Sequence, residues 1–371
     1  MNTETKTPLK ERLYSLDTLR GFDMFWIIGG GALIEKIVEY TDWGWMQPLA
    51  NQMHHAQWEG FHFEDLIFPM FMFISGVAIP YALISKKEKG VPKNDLYKKV
   101  LKRMVLLVVF GFVYNGMLES GFENLRLAGV LGQIGIAYFL TALIAINTDL
   151  VKTRIYWVLG ILAGIAAMQL LVPVPGYGAG VLTAEGSVNS WIDQRFLPGR
   201  LYQEITDPEG LLCIVSATSV TLMGTIFGTI IRRKHFNPMK KTTIMLTVGA
   251  VMVIVALILS PVYPIIKKLW TVPFNILTAG ISAILLGIFY FIIDVKQKRN
   301  WILFFQVIGL NSITIYMGKR IINFMYSSEF LMGWTRTVIG DLSSVVLIMT
   351  YIALEWAFLY YLYKNKIFLK V

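Results

Sequence analysis

The segment TVPFNILTAGISAILLGIFYFII (residues 271–293) decides the fold class, because its 23 residues include no acidic or basic side chain. An α-helix rises 1.5 Å per residue, so about 20 such residues cross a hydrocarbon core of about 30 Å. The segments 104–118 and 242–259 are likewise mostly apolar and free of charge. These repeated segments predict an integral membrane protein with several membrane-spanning helices.

The composition of the chain supports the same prediction. Of its 371 residues, 55% are hydrophobic and only 16% are charged, and the mean hydropathy is +0.57. Soluble domains carry about 25% charged residues, so this chain lacks the polar surface of a soluble protein. We predict a single all-α membrane domain over residues 1–371. The lone cysteine, Cys213, excludes an internal disulfide and a cysteine-cluster metal site.

The distribution of charge predicts a topology for this polytopic helix bundle. The predicted spans, about ten in number, are 21–39, 63–85, 103–118, 127–147, 155–172, 210–231, 242–260, 271–293, 301–318 and 339–363. If these spans alternate in direction, 25 of the 34 basic residues lie on one side. Basic loops face the cytoplasm, so both termini are expected to be cytoplasmic, with external loops at about 40–62 and 173–209.

The ends and loops of the chain carry three further expectations. The first 20 residues are polar and lack an apolar central region, so we expect no cleavable signal peptide. The basic runs lie in short loops and lack interleaved aromatic residues, so no nucleic-acid partner is expected. The lipid bilayer is the expected partner of these runs, through its anionic headgroups.

The stretch NQMHHAQWEGFHFEDLIFPMFMFISG (residues 51–76) gathers three of the four histidines just before a long apolar run. Its polar and aromatic candidates are His54, His55, Trp58, Glu59, His62 and Asp65. If this stretch is helical, His55, Glu59 and His62 share one face. Three interpretations stay open at this point. A histidine is a general base or nucleophile, the cluster binds zinc, or these are interfacial residues with Trp58 as an aromatic anchor.

Other polar residues lie within or beside predicted spans, where ionisable groups are costly and point to function. They are Asp17, Arg20, Asp23, Arg126, Gln133, Asn311 and Ser312. Asp17 and Arg20 are three residues apart and can pair on one helix face, either as a structural ion pair or in binding. The alternative role for Asn311 and Ser312 is a hydrogen bond between helices.

Several segments, in this order, resemble the transmembrane acyltransferase family of heparan-alpha-glucosaminide N-acetyltransferase. They are RLYSLDTLRGF (12–22), HAQWEGFHFEDLIFPMFMFISG (55–76), RLAGVLGQIGIAYF (126–139), WIDQRFLPGRLY (191–202) leading to DPEGLL (207–212), GLNSITIYMG (309–318) and LYKNKIF (362–368). Each segment alone is a weak signal, and the ordered set is a strong one. The resemblance runs almost end to end, and the compactness of the chain, without a targeting segment, suggests a bacterial homologue.

The resemblance implies transfer of an acetyl group from cytosolic acetyl-CoA to the amine of a terminal glucosamine across the membrane, without a metal. It implies that His55 is the active-site histidine, acting as general base or acetyl carrier. Asp65 is the second catalytic candidate, which orients His55 or holds the substrate ammonium. The expected substrate- or cofactor-binding residues are Trp58, Glu59, Arg126, Gln133, Asn311 and Ser312.

The chain departs from the family pattern around the expected acceptor site. The segment between the glycine run 29–31 and His55 is longer than in relatives and contains TDWGWMQP. Ile27 and Ile28 replace a polar Asn that some relatives carry just before the glycine run. Glu59 stands where relatives often have Asn or Asp. A free amino sugar or a cell-envelope glycan is therefore the expected acceptor, in a bacterial inner membrane. The alternatives are a multi-pass sugar transporter and an O-acyltransferase, and a homodimer is one candidate assembly.

Overall fold

A computed structural model describes residues 13–121, 125–202 and 204–369. The described residues form helices and no strand, with two isolated β-bridges, Arg126 with Gly199 and Val174 with Gly178. The all-α prediction is therefore confirmed. The predictions for residues 1–12, including most of the expected polar leader, and for Lys370 lie outside the described residues.

Most of the chain lies in long helices connected by short ones. The longer helices are Tyr14–Phe25, Gly31–Thr41, Phe63–Ile79, Lys93–Tyr114, Val130–Asn147, Val151–Leu171, Val188–Phe196, Leu211–Arg232, Pro238–Leu259, Val272–Tyr290, Ile302–Leu310, Ser312–Ile321, Phe324–Met332 and Leu342–Lys364. The shorter helices are Gly44–Met46, Gln47–Asn51, Ser85–Lys87, Met117–Ser120, Lys267–Leu269 and Thr335–Ile339, with π-helical turns at Trp26–Gly30, Pro80–Ile84 and Phe291–Val295.

Within the described residues, seven helices are long and apolar enough to cross a membrane, and eight if a bent pair counts as one span. That pair, Ile302–Leu310 and Ser312–Ile321, bends by 69°. The two other predicted spans, 21–39 and 103–118, are also largely helical, but their helices carry more charged residues. The structure thus confirms a polytopic membrane helix bundle with fewer clear spans than the predicted ten. The sidedness of the termini and the single domain stay predictions.

The first predicted span, 21–39, is broken near its middle. Gly29 has φ 142°, a conformation that suits glycine, within the π-helical turn Trp26–Gly30. The break leaves the carbonyl of Ile27 available, and Lys319 Nζ donates a hydrogen bond to it at 3.0 Å. This contact holds Lys319 against the first helix, and Ile27 and Lys319 line the same cavity.

Glycines set the position of the helix Phe63–Ile79, which begins next to the histidine cluster. This helix packs against Leu211–Arg232 so closely that a Cβ atom on Gly76 would lie 1.9 Å from the carbonyl oxygen of Thr221. A Cβ atom on Gly224 would lie 2.1 Å from a backbone carbonyl oxygen of the facing helix. Small residues let membrane helices approach at backbone distance, so this glycine seam fixes the helix that carries the candidate site.

The loop 173–209 is folded against the bundle. Its central part forms the helix Val188–Phe196, and Asp193 Oδ1 accepts a hydrogen bond of 2.9 Å from the backbone N–H of Leu211. Nearby, the indole N–H of buried Trp270 donates to the carbonyl of Pro208 at 2.9 Å. These contacts tie the end of the loop to the start of the next membrane helix.

Candidate active site

Asp65 organises the loop that carries His55. The segment before the helix Phe63–Ile79 is irregular, so the helical face considered for His55, Glu59 and His62 does not form. Asp65 is the third residue of the helix, and its Oδ2 accepts hydrogen bonds from the backbone N–H of His62 at 3.0 Å and of Ala56 at 3.2 Å. The carboxylate, 1% exposed, therefore fixes both ends of the loop.

Three charged or titratable side chains meet at the start of this helix. His55 Nδ1 lies 3.0 Å from Asp65 Oδ1 and 3.1 Å from Lys267 Nζ. Lys267 Nζ lies 3.3 Å from the same Asp65 oxygen. Burial lowers the pKa of Lys267, against the opposing effect of Asp65. The cluster shares one buried carboxylate between a histidine and a lysine, which leaves His55 Nε2 as the nitrogen outside these contacts.

A cavity of about 480 Å³ opens beside this cluster. Its lining residues are Met24, Trp26, Ile27, His55, Ala56, Glu64, Ile67, Phe68, Phe71, Tyr114, Arg126, Val130, Leu131, Ile134, Tyr202, Pro208, Glu209, Lys267, Lys268, Ile313, Tyr316 and Lys319. Small-molecule sites have volumes of about 300–1,000 Å³, with mostly apolar walls and a few polar groups. This cavity matches that description and includes His55 among its polar groups.

Arg126 lines the cavity but is already paired. Its Nε donates to Asp207 Oδ2 at 2.8 Å, and a terminal nitrogen donates to Asp207 Oδ1 at 2.5 Å and also to Glu209. Burial opposes the charge of Arg126, but the hydrogen bonds to Asp207 and the charge of Glu209 outweigh it and raise its pKa. The guanidinium also lies over the ring of Tyr202, 4.7 Å from its centroid. Arg126 thus ties the loop 173–209 to the bundle, and its predicted ligand role stays a prediction.

Trp58 and Glu59 lie outside the lining of the cavity. The indole N–H of Trp58 donates to the carbonyl of Leu182 at 2.9 Å, and Lys268 Nζ lies 5.4 Å from its ring centroid. Trp58 therefore connects the loop before Phe63 to the loop 173–209. Glu59 is exposed. The binding roles predicted for both residues stay predictions.

The predicted polar residues of the later spans lie in helix contacts away from the cavity lining. Gln133 is buried, and its Nε2 donates to the carbonyl of Cys213 at 3.1 Å. Asn311 lies at the bend between two helices, and its Nδ2 donates to the carbonyl of Ile367 at 3.3 Å. Ser312 is buried and begins the second of these helices. The hydrogen bond of Gln133 joins two helices, whereas Asn311 contacts the segment that follows the helix Leu342–Lys364. The binding roles predicted for these three residues stay predictions.

The acidic residues of the first helix have two different environments. Arg20 and Asp17 form the predicted pair, with nitrogen and oxygen 3.6 Å apart. Asp23 is fully buried, and its carboxylate oxygens have no hydrogen-bond partner among the described residues. Neither acid lines the cavity.

The other histidines do not converge with His55 on a common point. His62 Nδ1 donates to the backbone carbonyl of His54 at 2.9 Å. His54 Nε2 lies 3.6 Å from Glu35. In the part of the chain that the structure describes, no group of three or more His, Cys, Asp and Glu side chains could hold a metal ion.

Sequence reasoning missed several charged residues of the cavity. They are Glu64, Glu209, Lys267, Lys268 and Lys319. One signal was available for the Lys267–Lys268 pair, because it lies among the few basic residues on the side predicted to be external. A basic pair that departs from the charge bias of a membrane protein is a reasonable candidate for function.

Comparison with known proteins gives matches that cover this whole region. A family described as "Domain of unknown function (DUF5009)" matches residues 12–172. The human heparan-alpha-glucosaminide N-acetyltransferase is 25% identical over 423 residues, which cover 98% of this chain and 60% of the relative. The mouse protein of that name is 24% identical over 426 residues, with 99% and 62% covered. The chain spans about 60% of the length of these curated relatives. Over nearly its whole length, the chain is therefore similar to these heparan-alpha-glucosaminide N-acetyltransferases.

Proposed function

We propose that this protein is a membrane-embedded acetyltransferase that moves an acetyl group from cytosolic acetyl-CoA to the amine of a glucosamine-type sugar on the periplasmic side. The observation that carries the proposal is the cluster of His55, Asp65 and Lys267 at the mouth of a ligand-sized cavity. The names of the relatives support the reaction class. The basic loops support the orientation, and a bacterial inner membrane is the proposed location.

The proposed mechanism uses His55 as a general base. With its Nδ1 proton directed at Asp65, His55 Nε2 accepts a proton from the sugar amine as the amine attacks the thioester carbonyl. The new C–N bond forms, the C–S bond breaks, and the departing thiolate takes a proton to give free CoA. Asp65 orients the imidazole, and Lys267 holds Asp65 in place by its contact of 3.3 Å.

A transient acetyl-histidine is the second form of this mechanism. In that form, the imidazole attacks acetyl-CoA first and passes the acetyl group to the amine in a second step. Intact-protein mass spectrometry after incubation with acetyl-CoA alone separates the two forms. A mass increase of one acetyl group that is lost in His55→Ala identifies the two-step route, and no increase identifies direct transfer.

The decisive experiment combines purified protein, glucosamine and isotope-labelled acetyl-CoA, with N-acetylglucosamine measured by mass spectrometry. We expect product with the wild type and its loss in His55→Ala. The matched control is His235→Ala, because His235 is exposed and lies outside the cavity lining. Product formation that persists in His55→Ala would contradict the proposed base. A wild type that binds the sugar without acetylating it would favour a sugar transporter.

A further inference from the structure

Glu64 is a cavity-lining carboxylate whose side chain has no hydrogen-bond or ion-pair partner among the described residues. The cavity has two lining carboxylates, Glu64 and Glu209, and Glu209 accepts a hydrogen bond from Arg126. The side chain of Glu64 forms no hydrogen bond or ion pair with any other described residue. Its backbone N–H alone is engaged, donating to the carbonyl of Gln52 at 3.0 Å.

The neighbouring carboxylate, Asp65, has the contacts with protein groups that Glu64 lacks. Asp65 faces the loop, accepts two backbone N–H groups, and lies within 3.3 Å of both His55 and Lys267. The nearest cations are therefore already committed to Asp65. Glu64 nevertheless lines the same cavity as His55 and Lys267. It is the carboxylate left open toward a ligand held beside the histidine.

The unpaired carboxylate of Glu64 favours a cationic group at its own position in the cavity. A carboxylate that is partly removed from water is costly unless a charge or hydrogen-bond donor pairs with it. The cavity that Glu64 lines has aromatic and aliphatic walls, including Phe68, Phe71 and Ile67, and it also carries lysines. A primary ammonium pairs with a carboxylate through short, charge-assisted hydrogen bonds, which a hydroxyl group cannot match.

We propose that Glu64 binds the ammonium group of the acceptor and thereby selects amines over hydroxyls. This inference rests on the proposed function, and it assigns to Glu64 the substrate-holding role that sequence reasoning left open for Asp65. It also separates the two adjacent carboxylates by task. Asp65 positions the base, and Glu64 recognises the acceptor.

Binding measurements test the proposal without requiring turnover. Isothermal titration calorimetry would compare D-glucosamine with D-glucose, which lacks the amine, for wild type, Glu64→Gln and Glu64→Asp. Because a hydrogen bond to a charged group contributes about 1.5–3 kcal/mol, Glu64→Gln should weaken glucosamine binding about 10- to 100-fold. Glucose binding should stay unchanged, and Glu64→Asp should keep part of the selectivity. Glu185→Gln is the matched control, since Glu185 is an exposed carboxylate outside the cavity lining.

A purely structural role for Glu64 gives a different result. Glu64 lies in the first turn of its helix, where an acidic residue also stabilises the helix dipole. If that were its only role, Glu64→Gln would lower thermal stability and leave the ratio of glucosamine to glucose affinity unchanged. An unchanged ratio of glucosamine to glucose affinity in Glu64→Gln, or an absence of glucosamine binding by the wild type, would overturn the proposal.

The same variants separate this inference from the proposed function. Glutamate-dependent binding of glucosamine without acetyl transfer would support the role of Glu64 and reject the transferase. Acetyl transfer by the wild type with equal glucosamine affinity in Glu64→Gln would support the transferase and reject the role of Glu64.

Discussion

Replacement of Asp65 by asparagine tests the central cluster most directly. The amide keeps the size of the side chain but removes the charge that faces Lys267 Nζ at 3.3 Å. With an effective dielectric constant of about 20, two unit charges at that distance attract each other by about 5 kcal/mol. The cost of removing both ions from water offsets part of this, and loss of one partner of a buried pair costs about 3–5 kcal/mol. We therefore expect Asp65→Asn to lower the free energy of unfolding by about 3 kcal/mol.

A double-mutant cycle with Lys267→Met shows whether the loss comes from this pair. The single variant Asp65→Asn leaves a buried ammonium without its counter-ion, whereas the double variant has none. We expect the double variant to be more stable than Asp65→Asn alone, because the two changes are coupled. Unfolding in mixed detergent micelles, followed by tryptophan fluorescence, gives the four free energies.

The control for this cycle is Asp149→Asn, which removes an exposed carboxylate 2.6 Å from Lys87 Nζ. Exposed pairs contribute about 0–1 kcal/mol, so its effect should be small. Acetyl transfer by Asp65→Asn should also fall about 10²- to 10⁴-fold, because His55 loses the group that orients it. Additive effects of the two substitutions, or wild-type stability in Asp65→Asn, would refute the reasoning.

Two further predictions concern the frame around the site. Gly76→Ala should lower the midpoint of thermal unfolding, because the added Cβ would lie 1.9 Å from a backbone carbonyl oxygen. The control is Gly160→Ala, where nothing lies within 4 Å of the added atom. Equal midpoints for the two variants would contradict the close packing of the glycine seam. Burial raises the pKa of Asp193 to about 7 from its ordinary 3.8. Its protonated form therefore makes its full contribution to the free energy of unfolding below pH 3.8, and this contribution is lost as the pH rises through about 7. Asp193→Asn should therefore gain more stability over wild type at pH 8 than at pH 5, and a difference independent of pH would contradict this.

The sequence alone determined the fold class and the places of the helices. Membrane helices are recognisable because about 20 apolar residues in a row are a local requirement of the bilayer. The segments predicted as spans are largely helical in the structure, including 21–39 and 103–118, whose charged flanks lower their apolar character. The same local logic picked out the stretch around His55, since histidines and acids beside a membrane span are unusual.

Only the tertiary structure decided which of these groups act together. Lys267 reaches His55 from 212 residues away, and Arg126 finds its partner Asp207 81 residues along the chain. No local pattern specifies such pairs, because they depend on how closely distant helices pack. The structure likewise separates Glu64 from Asp65, two neighbours of the same charge. One faces the cavity and the other supports the loop, because successive residues at the start of a helix point in different directions.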